Sequence, residues 1–328
     1  MRGVLILLAA AAMAQDAPKP PLGLPPVQWP KDNPYSGAKA DLGRYLYFDG
    51  RLSADGSVSC ASCHSPQHGF TDGAPVSTGI RGQKGGRSAP TVINRVYSLA
   101  QFWDGRAGTL EEQAKGPMAN PIEMGNTHDA VVSKLQSVAG YRPLFAKAFG
   151  SDEITIDRVA QAIACFERTV LSGNSPYDRY KVGDKKALSV AQVRGMRVFF
   201  DKAQCDRCHE GSNFTLNAYA NIGVGTDKPE PDVGRYAVTK DARDWGVFKT
   251  PTLREIEHTA PYMHDGSLKT LDEVVEFYNK GGIPNKNLDA NIKPLHLSDR
   301  EKSDLVTFLT ALNGEGWKGI APPATMPQ

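Results

Sequence analysis

Apolar residues recur along this chain at helical spacing in separated blocks, divided by polar stretches rich in Gly and Pro. In IDRVAQAIACFERTVL and VAQVRGMRVFFD they follow a period near 3.6, and Leu305, Phe308, Leu309 and Leu312 fall on one helix face. Thr109-Leu-Glu-Glu112, Ser189-Val-Ala-Gln192, Thr270-Leu-Asp-Glu273 and Ser298-Asp-Arg-Glu301 match the capping box, and each predicts a helix start. Strand alternation is nowhere sustained, so the predicted class is all-α with long irregular loops. KPPLGLPPVQWP predicts an extended arm, residues 15–32, rather than a packed element. The polar, turn-rich SGNSPYDRYKVGDKK predicts a domain boundary.

Candidate chemistry sharpens this picture. Four of the five cysteines are spent on two copies of one motif, CASCH from Cys60 and CDRCH from Cys205. Paired cysteines alone suggest a disulfide in an oxidising compartment. Zinc knuckles usually lie about 15 to 20 residues apart, whereas Cys63 and Cys205 are 142 apart. Neither reading explains the histidine after each second cysteine. Cys-x-x-Cys-His is the pattern of c-type haem attachment: two thiols form thioethers to one haem, and the adjacent imidazole becomes the proximal iron ligand. Cys60, Cys63 and His64 are therefore expected to hold haem 1, and Cys205, Cys208 and His209 haem 2. A helix precedes each motif (LGRYLYFD, VAQVRGMRVFFD) and another closes each half. The expectation is two cytochrome c-like domains, 33–175 and 185–320, each with one covalently bound c-type haem. Cys165 reads as a buried packing thiol.

The sixth ligand decides whether an iron carries electrons or takes a substrate. For haem 2 the candidates are His258, Tyr262, Met263 and His264; Met263 lies 54 residues after His209, in the turn-like TAPYMHDGS. Met118 lies 54 residues after His64, so spacing alone leaves a methionine cap on haem 1 open. His68 follows His64 too closely to reach the opposite side of the ring. The Gly-rich STGIRGQKGGR lacks the Lys-Ser/Thr of a phosphate loop.

Bulk properties narrow the class further. The chain has 328 residues, 40% of them hydrophobic, and a net charge of +2, with basic residues dispersed; nucleic acid is not an expected partner. MRGVLILLAAAAMA has the form of a secretory signal cleaved near Ala14, residues 1–14. The apolar run is too short for a membrane anchor, and the mature protein is expected in the periplasm.

The chain resembles the bacterial dihaem cytochrome c peroxidases and their MauG-type relatives from about Asn33 to Gly314. The resemblance rests on CASCHSPQHGFTD, APTVINRVYSLAQFWDGRAGTLEEQAKGPMANPIEM, FERTVLSGNSPYDRY and FKTPTLREIEHTAPYMHDGSLKTLDEVV. It implies that Trp103 lies between the haems and assists electron transfer, and that Gln113, Pro117 and Glu123 form the distal pocket over haem 1, with Glu123 as acid/base. Met118 then stands beside that pocket. Met263 matches the axial methionine of the electron-transfer haem, where MauG has a tyrosine. The family's loop histidine, which blocks haem 1 until haem 2 is reduced, has no counterpart in STGIRGQKGG, so haem 1 is expected open without reductive activation. An asparagine associated with a calcium ion between the domains is Ser88 here. The implied function is hydrogen peroxide reduction, with electrons from a small donor such as a monohaem cytochrome c or a copper protein. Two alternatives stay open: MauG-like oxidation of a protein or bulky substrate through a high-valent dihaem state, and a non-enzymatic dihaem electron carrier. A homodimer is also left open.

Overall fold

The computed structural model describes residues 17–328; the expected signal peptide, 1–14, lies outside the described residues. Eight helices of two turns or more carry the described fold: α1 (Gly37–Phe48), α2 (Leu110–Ala119), α3 (His128–Gln136), α4 (Tyr141–Phe149), α5 (Ile156–Glu167), α6 (Val190–Arg197), α7 (Leu271–Asn279) and α8 (Asp299–Thr310). The predicted helix starts hold. Thr109, Ser189, Thr270 and Ser298 are N-caps, each side chain accepting from the amide three residues on. β-structure among the described residues amounts to one short antiparallel pair, β1 (Tyr219–Ala220) with β2 (Phe248–Lys249), plus isolated bridges.

Two hydrophobic cores follow one plan. In the first, α1 crosses α5 at Gly43, where a Cβ would stand 1.9 Å from the Ala162 carbonyl oxygen; Leu42, Leu46, Tyr47, Ile163 and Phe166 fill the contact. In the second, α6 crosses α8 at Gly195, where a Cβ would stand 1.8 Å from the Asp304 carbonyl oxygen; Phe199, Phe308 and Leu309 pack there. Only glycine admits helices this close. A Cys-x-x-Cys-His motif follows the first helix of each crossing.

The chain passes between cores inside the polar segment expected to be a boundary. Val170 belongs to the first core, and Tyr177 packs on Phe200, Phe214 and Phe308 of the second. Two expectations need correction. The proline-rich arm has no helix or strand, but it is packed. Leu22 O accepts from Asn174 N (2.7 Å), Pro25 O from Tyr97 Oη (2.8 Å) and Gly23 O from the buried Arg254 (3.4 Å). Nor does the segment 185–320 close on itself. From Glu315 the tail returns to the first half, pairing with Gly173 and burying Trp317 beside Phe70. Proline fixes the arm's backbone but leaves its carbonyls free to accept, and Trp317 has apolar area that the second core cannot cover.

A second duplication is more exact. Residues 89–112 and 250–273 share a pattern of turns at a constant offset of 161, interrupted in the second copy by the cis Ala260–Pro261 peptide. Thr91 donates its hydroxyl to Gly69 O and Thr252 to Asn213 O, both at 2.6 Å. Asn94 and Glu255 are left-handed (both φ 60°), as are Phe102 (φ 64°) and Met263 (φ 74°). A bridge closes each turn, Gln101 with Ala107 and Tyr262 with Leu268. Thr109 and Thr270 then cap α2 and α7.

Candidate haem sites

Each haem motif forms a single helical turn that places its cysteines side by side, and none of the five cysteines is in a disulfide. Burial pushes the Cys60 thiol far up, Cys63 to about 11 and Cys205 to about 12. Such thiols are poor nucleophiles at neutral pH, which argues against thiol redox chemistry. Both histidines are half-buried, and loss of solvent disfavours their charged forms, lowering His209 to about 4. His209 Nδ1 lies 3.1 Å from the Phe214 carbonyl oxygen. A carbonyl only accepts, so the proton sits on Nδ1 and Nε2 carries the lone pair. His64 Nδ1 is buried without a hydrogen-bond partner, with the Phe70 and Pro90 carbonyls nearby. Tyr47 Oη holds the His64 carbonyl at 2.6 Å.

Around Cys205, Cys208 and His209 lies an apolar cavity walled by Phe199, Leu271, Val275, Leu305 and Leu309. It extends to Trp103 and on to Thr71 and Pro90, beside the first motif. Two thiols, one imidazole lone pair and apolar walls fit a covalently held haem. Of the candidates opposite His209, His258 is outside the lining and meets Glu255 (3.8 Å) and the Trp317 ring. Tyr262 donates to Ile256 O at 3.1 Å. His264 is stacked on Phe248, ring centroids 3.7 Å apart, and burial lowers it to about 4. Met263 lines the cavity without a polar partner, and its left-handed backbone is the uncommon conformation that often marks a constrained site.

The first half has its own pocket, lined by Phe102, Arg106, Ala107, Glu112, Gly116, Pro117, Asn120 and Glu123. Pro117 and Glu123 line this pocket together. Gln113 is on α2 one turn before Pro117, half-buried, and outside this lining. Met118 is fully buried in the first core, on the α2 face shared with Leu110 and Ala114. Burial raises Glu123 above the usual carboxylate range, against the opposing pull of Arg106 and Asn120. Arg106 stacks on Phe102 at 3.5 Å and pairs with Asp104 at 2.9 Å. The histidine-free loop is tied to this pocket: Ile80 N donates to Glu123 O (2.8 Å) and Gln83 Nε2 to Pro121 O (3.1 Å).

Phe102 and Trp103 divide the two spaces, Phe102 lining the first pocket and Trp103 the cavity around the second motif. Trp103 Nε1 donates to Ser88 O (2.9 Å), and its carbonyl accepts from Lys249 N (2.7 Å). Its ring stands 6.5 Å from that of His264, its counterpart in the duplication. Arg87 fastens the wall by bonding Asp104 (2.7 Å) and, bidentately, Asp232 (2.6 and 2.8 Å). The importance of Phe102, Arg106 and Lys249 was not apparent from motif reading. An ungapped comparison of the chain with itself, which aligns Asp104-Gly105 with Asp265-Gly266, would have singled out Phe102.

The fold and these sites describe a helical protein with two haem-binding centres joined by an aromatic wall. Residues 37–186 match the family model of di-haem cytochrome c peroxidase. The methylamine utilization protein MauG of Methylophilus methylotrophus is 41% identical over 297 residues, 89% of this chain and 88% of that protein. Cytochrome c551 peroxidase of Nitrosomonas europaea is 42% identical over 284 residues, 86% of this chain and 82% of that one. Among solved structures, a MauG-like protein associated with microbial copper homeostasis superposes with a TM-score of 0.85 at 35% identity, covering 93% and 96% of the two chains. The chain belongs to the di-haem cytochrome c peroxidase family. It is an oxidoreductase with two haem cofactors and a peroxidase-type function. No described helix is long and apolar enough to cross a membrane.

Proposed function

We propose that this protein reduces hydrogen peroxide at haem 1 with electrons supplied through haem 2. The overall reaction is H2O2 + 2 H+ + 2 e− → 2 H2O. Cys60, Cys63 and His64 hold haem 1; Cys205, Cys208, His209 and Met263 hold haem 2, both covalently as c-type haems in cytochrome c-like halves. When bound, haem 1 supplies an iron that coordinates peroxide and accepts electrons, and haem 2 supplies one-electron transfer.

One observation carries this reading. Phe102 stands where the duplication puts Met263 in the second half, and the pocket it lines contains no His, Met, Tyr or Cys. A benzyl side chain offers no electron pair to an iron. Together with a neighbouring loop that has no histidine, this supports a haem 1 open in the resting state.

Within the pocket Glu123 moves the proton. Its raised pKa suits a carboxylate that takes a proton from the inner peroxide oxygen and returns it to the outer one, so that water leaves. Pro117 excludes water from one wall, and Gln113 stands one turn away on α2. Trp103, between the two spaces, carries electrons from haem 2. Ser88 donates its amide to His264 O and accepts from Trp103 Nε1 at its carbonyl. The donor is a small redox protein, a monohaem cytochrome c or a copper protein, and the protein acts in the periplasm after cleavage near Ala14.

Similarity to MauG favours a second reading, oxidation of a protein or bulky substrate, which Met263 in place of tyrosine argues against. The deciding experiment mixes the fully oxidised protein with one equivalent of hydrogen peroxide and follows the optical spectrum. An immediate change at a high-spin haem is expected; absence of reaction would overturn the open resting site.

A further inference from the structure

Four cationic side chains line the cavity between the halves; Arg207 and Lys293 are exposed, whereas Lys249 is buried and Arg95 half-buried, and the described lining contains no Asp or Glu. Lys249, in β2, is 4% exposed, and its ammonium makes no hydrogen bond or ion pair among the described residues. The residue is fixed in place: its amide is bonded to the Trp103 carbonyl and it is paired with Tyr219 in the two-stranded sheet. It lines the cavity that holds Cys205, Cys208, His209 and Trp103. Arg95, from the first half, lines the same cavity, and the charge of its guanidinium acts on Lys249. Arg95 Nη1 reaches only the Ser98 hydroxyl, at 3.3 Å.

Burial opposes an ammonium ion, and the like charge of Arg95 adds to the penalty; together they lower Lys249 to about 6. The carboxyl acting on Arg95 is that of Glu167, itself buried, with Oε2 unpartnered. Burial pushes Glu167 up to about 8, so it is mostly protonated near neutrality and does not neutralise both cations. Buried charges are kept when they are paired. The described residues that line the cavity include no Asp or Glu, whereas each haem brings two propionate carboxylates.

We propose that Lys249 binds a haem propionate on the cavity wall beside Trp103, with Arg95 taking a second carboxylate on the same wall. This rests on the two-haem reading. Lys249 is then a positioning residue: through its amide it ties the propionate edge to the tryptophan that separates the two sites. Its charge also offsets the carboxylate's field at the iron. Without it, the unpaired carboxylate favours the oxidised metal, and that haem's reduction potential falls.

The test uses holoprotein of Lys249→Met and Lys249→Arg. Covalent haem is counted by mass spectrometry, both potentials are measured by spectroelectrochemical titration, and the propionate-bending bands are read by resonance Raman. Wild type lacking two covalent haems would sink the haem reading itself. With two haems present, Lys249→Met is expected to lower one potential and shift one propionate band, and Lys249→Arg to leave both near wild type. Unchanged potentials and bands in Lys249→Met, or equal shifts in both variants, would overturn the proposal. If Lys249→Met does not accumulate, Lys249→Arg decides: two haems with wild-type potentials support the ion pair, and failure of this variant too overturns it.

Discussion

Phe102 and Met263 occupy the same place in two copies of one turn, 161 residues apart, both with left-handed backbones (φ 64° and 74°). One side chain is a benzyl group and the other a thioether, and the proposed division of labour between the haems follows from that difference. Phe102→Met should therefore cap haem 1. The variant is expected to lose its high-spin signal and its immediate reaction with peroxide. A high-spin haem that persists would show that the correspondence does not extend to the iron.

Met263→Leu makes the converse change. The near-infrared band of a methionine-ligated ferric haem should disappear and the potential of haem 2 should fall, while ferric haem 1 keeps its affinity for cyanide. Retention of the band would mean that a methionine other than Met263 caps the haem, and absence of the band from the wild type would return His258, Tyr262 and His264 to consideration.

Glu123→Gln should reduce peroxide turnover by about 10²- to 10⁴-fold, the usual contribution of a positioned acid/base, with haem spectra unchanged. In the wild type the base must be ionised, so turnover should fall as pH drops through the raised Glu123 pKa. Arg106 pulls that value down; Arg106→Leu should move the acidic limb of the pH profile to higher pH. A limb that stays put would remove Arg106 from the electrostatics of the pocket.

Stability rests partly on Asp178 and Arg254, a bidentate pair 3% and 1% exposed with both bonds at 2.9 Å. Burial alone would raise Asp178, but the Arg254 fork outweighs it and the carboxyl is held low. The stabilisation is present above the unfolded-state pKa, about 3.9, and is lost as pH falls through the lower folded value. Asp178→Asn leaves a buried guanidinium unpaired and should cost about 3–5 kcal/mol, measured by denaturant unfolding at pH 7. A loss below about 1 kcal/mol would mean that water reaches Arg254.

Gly43→Ala and Gly195→Ala each force a methyl group onto a backbone carbonyl. Each should cost about 1–3 kcal/mol. If the halves load independently, Gly43→Ala should impair haem 1 and Gly195→Ala haem 2, counted by mass spectrometry of the separated haem peptides.

What the sequence determined by itself was local. Cys60, Cys63 and His64 read as a haem motif because thiol and imidazole spacing is written within five residues. Ser189 and Ser298 mark helix starts because a cap reaches only three residues. Leu305, Phe308 and Leu309 share a face because the helix repeats every 3.6 residues. Pro117 and Glu123 were legible through the family resemblance, and they fall in one pocket because they flank a single helix end.

Tertiary structure decided what depends on distant partners. The proline-rich arm docks on Asn174 and Arg254, and Trp317 returns to the first core; a carbonyl or an indole carries no sign of which distant surface will accept it. Lys249 looks in sequence like any surface lysine, yet β-pairing with Tyr219 and the Trp103 carbonyl draw it into the cavity. Phe102 acquires its meaning from Met263, through two turns with the same backbone but different side chains. The chain specifies which groups are present, whereas long-range packing sets which of them meet, because the free energy of burial depends on surfaces that only the assembled fold brings together.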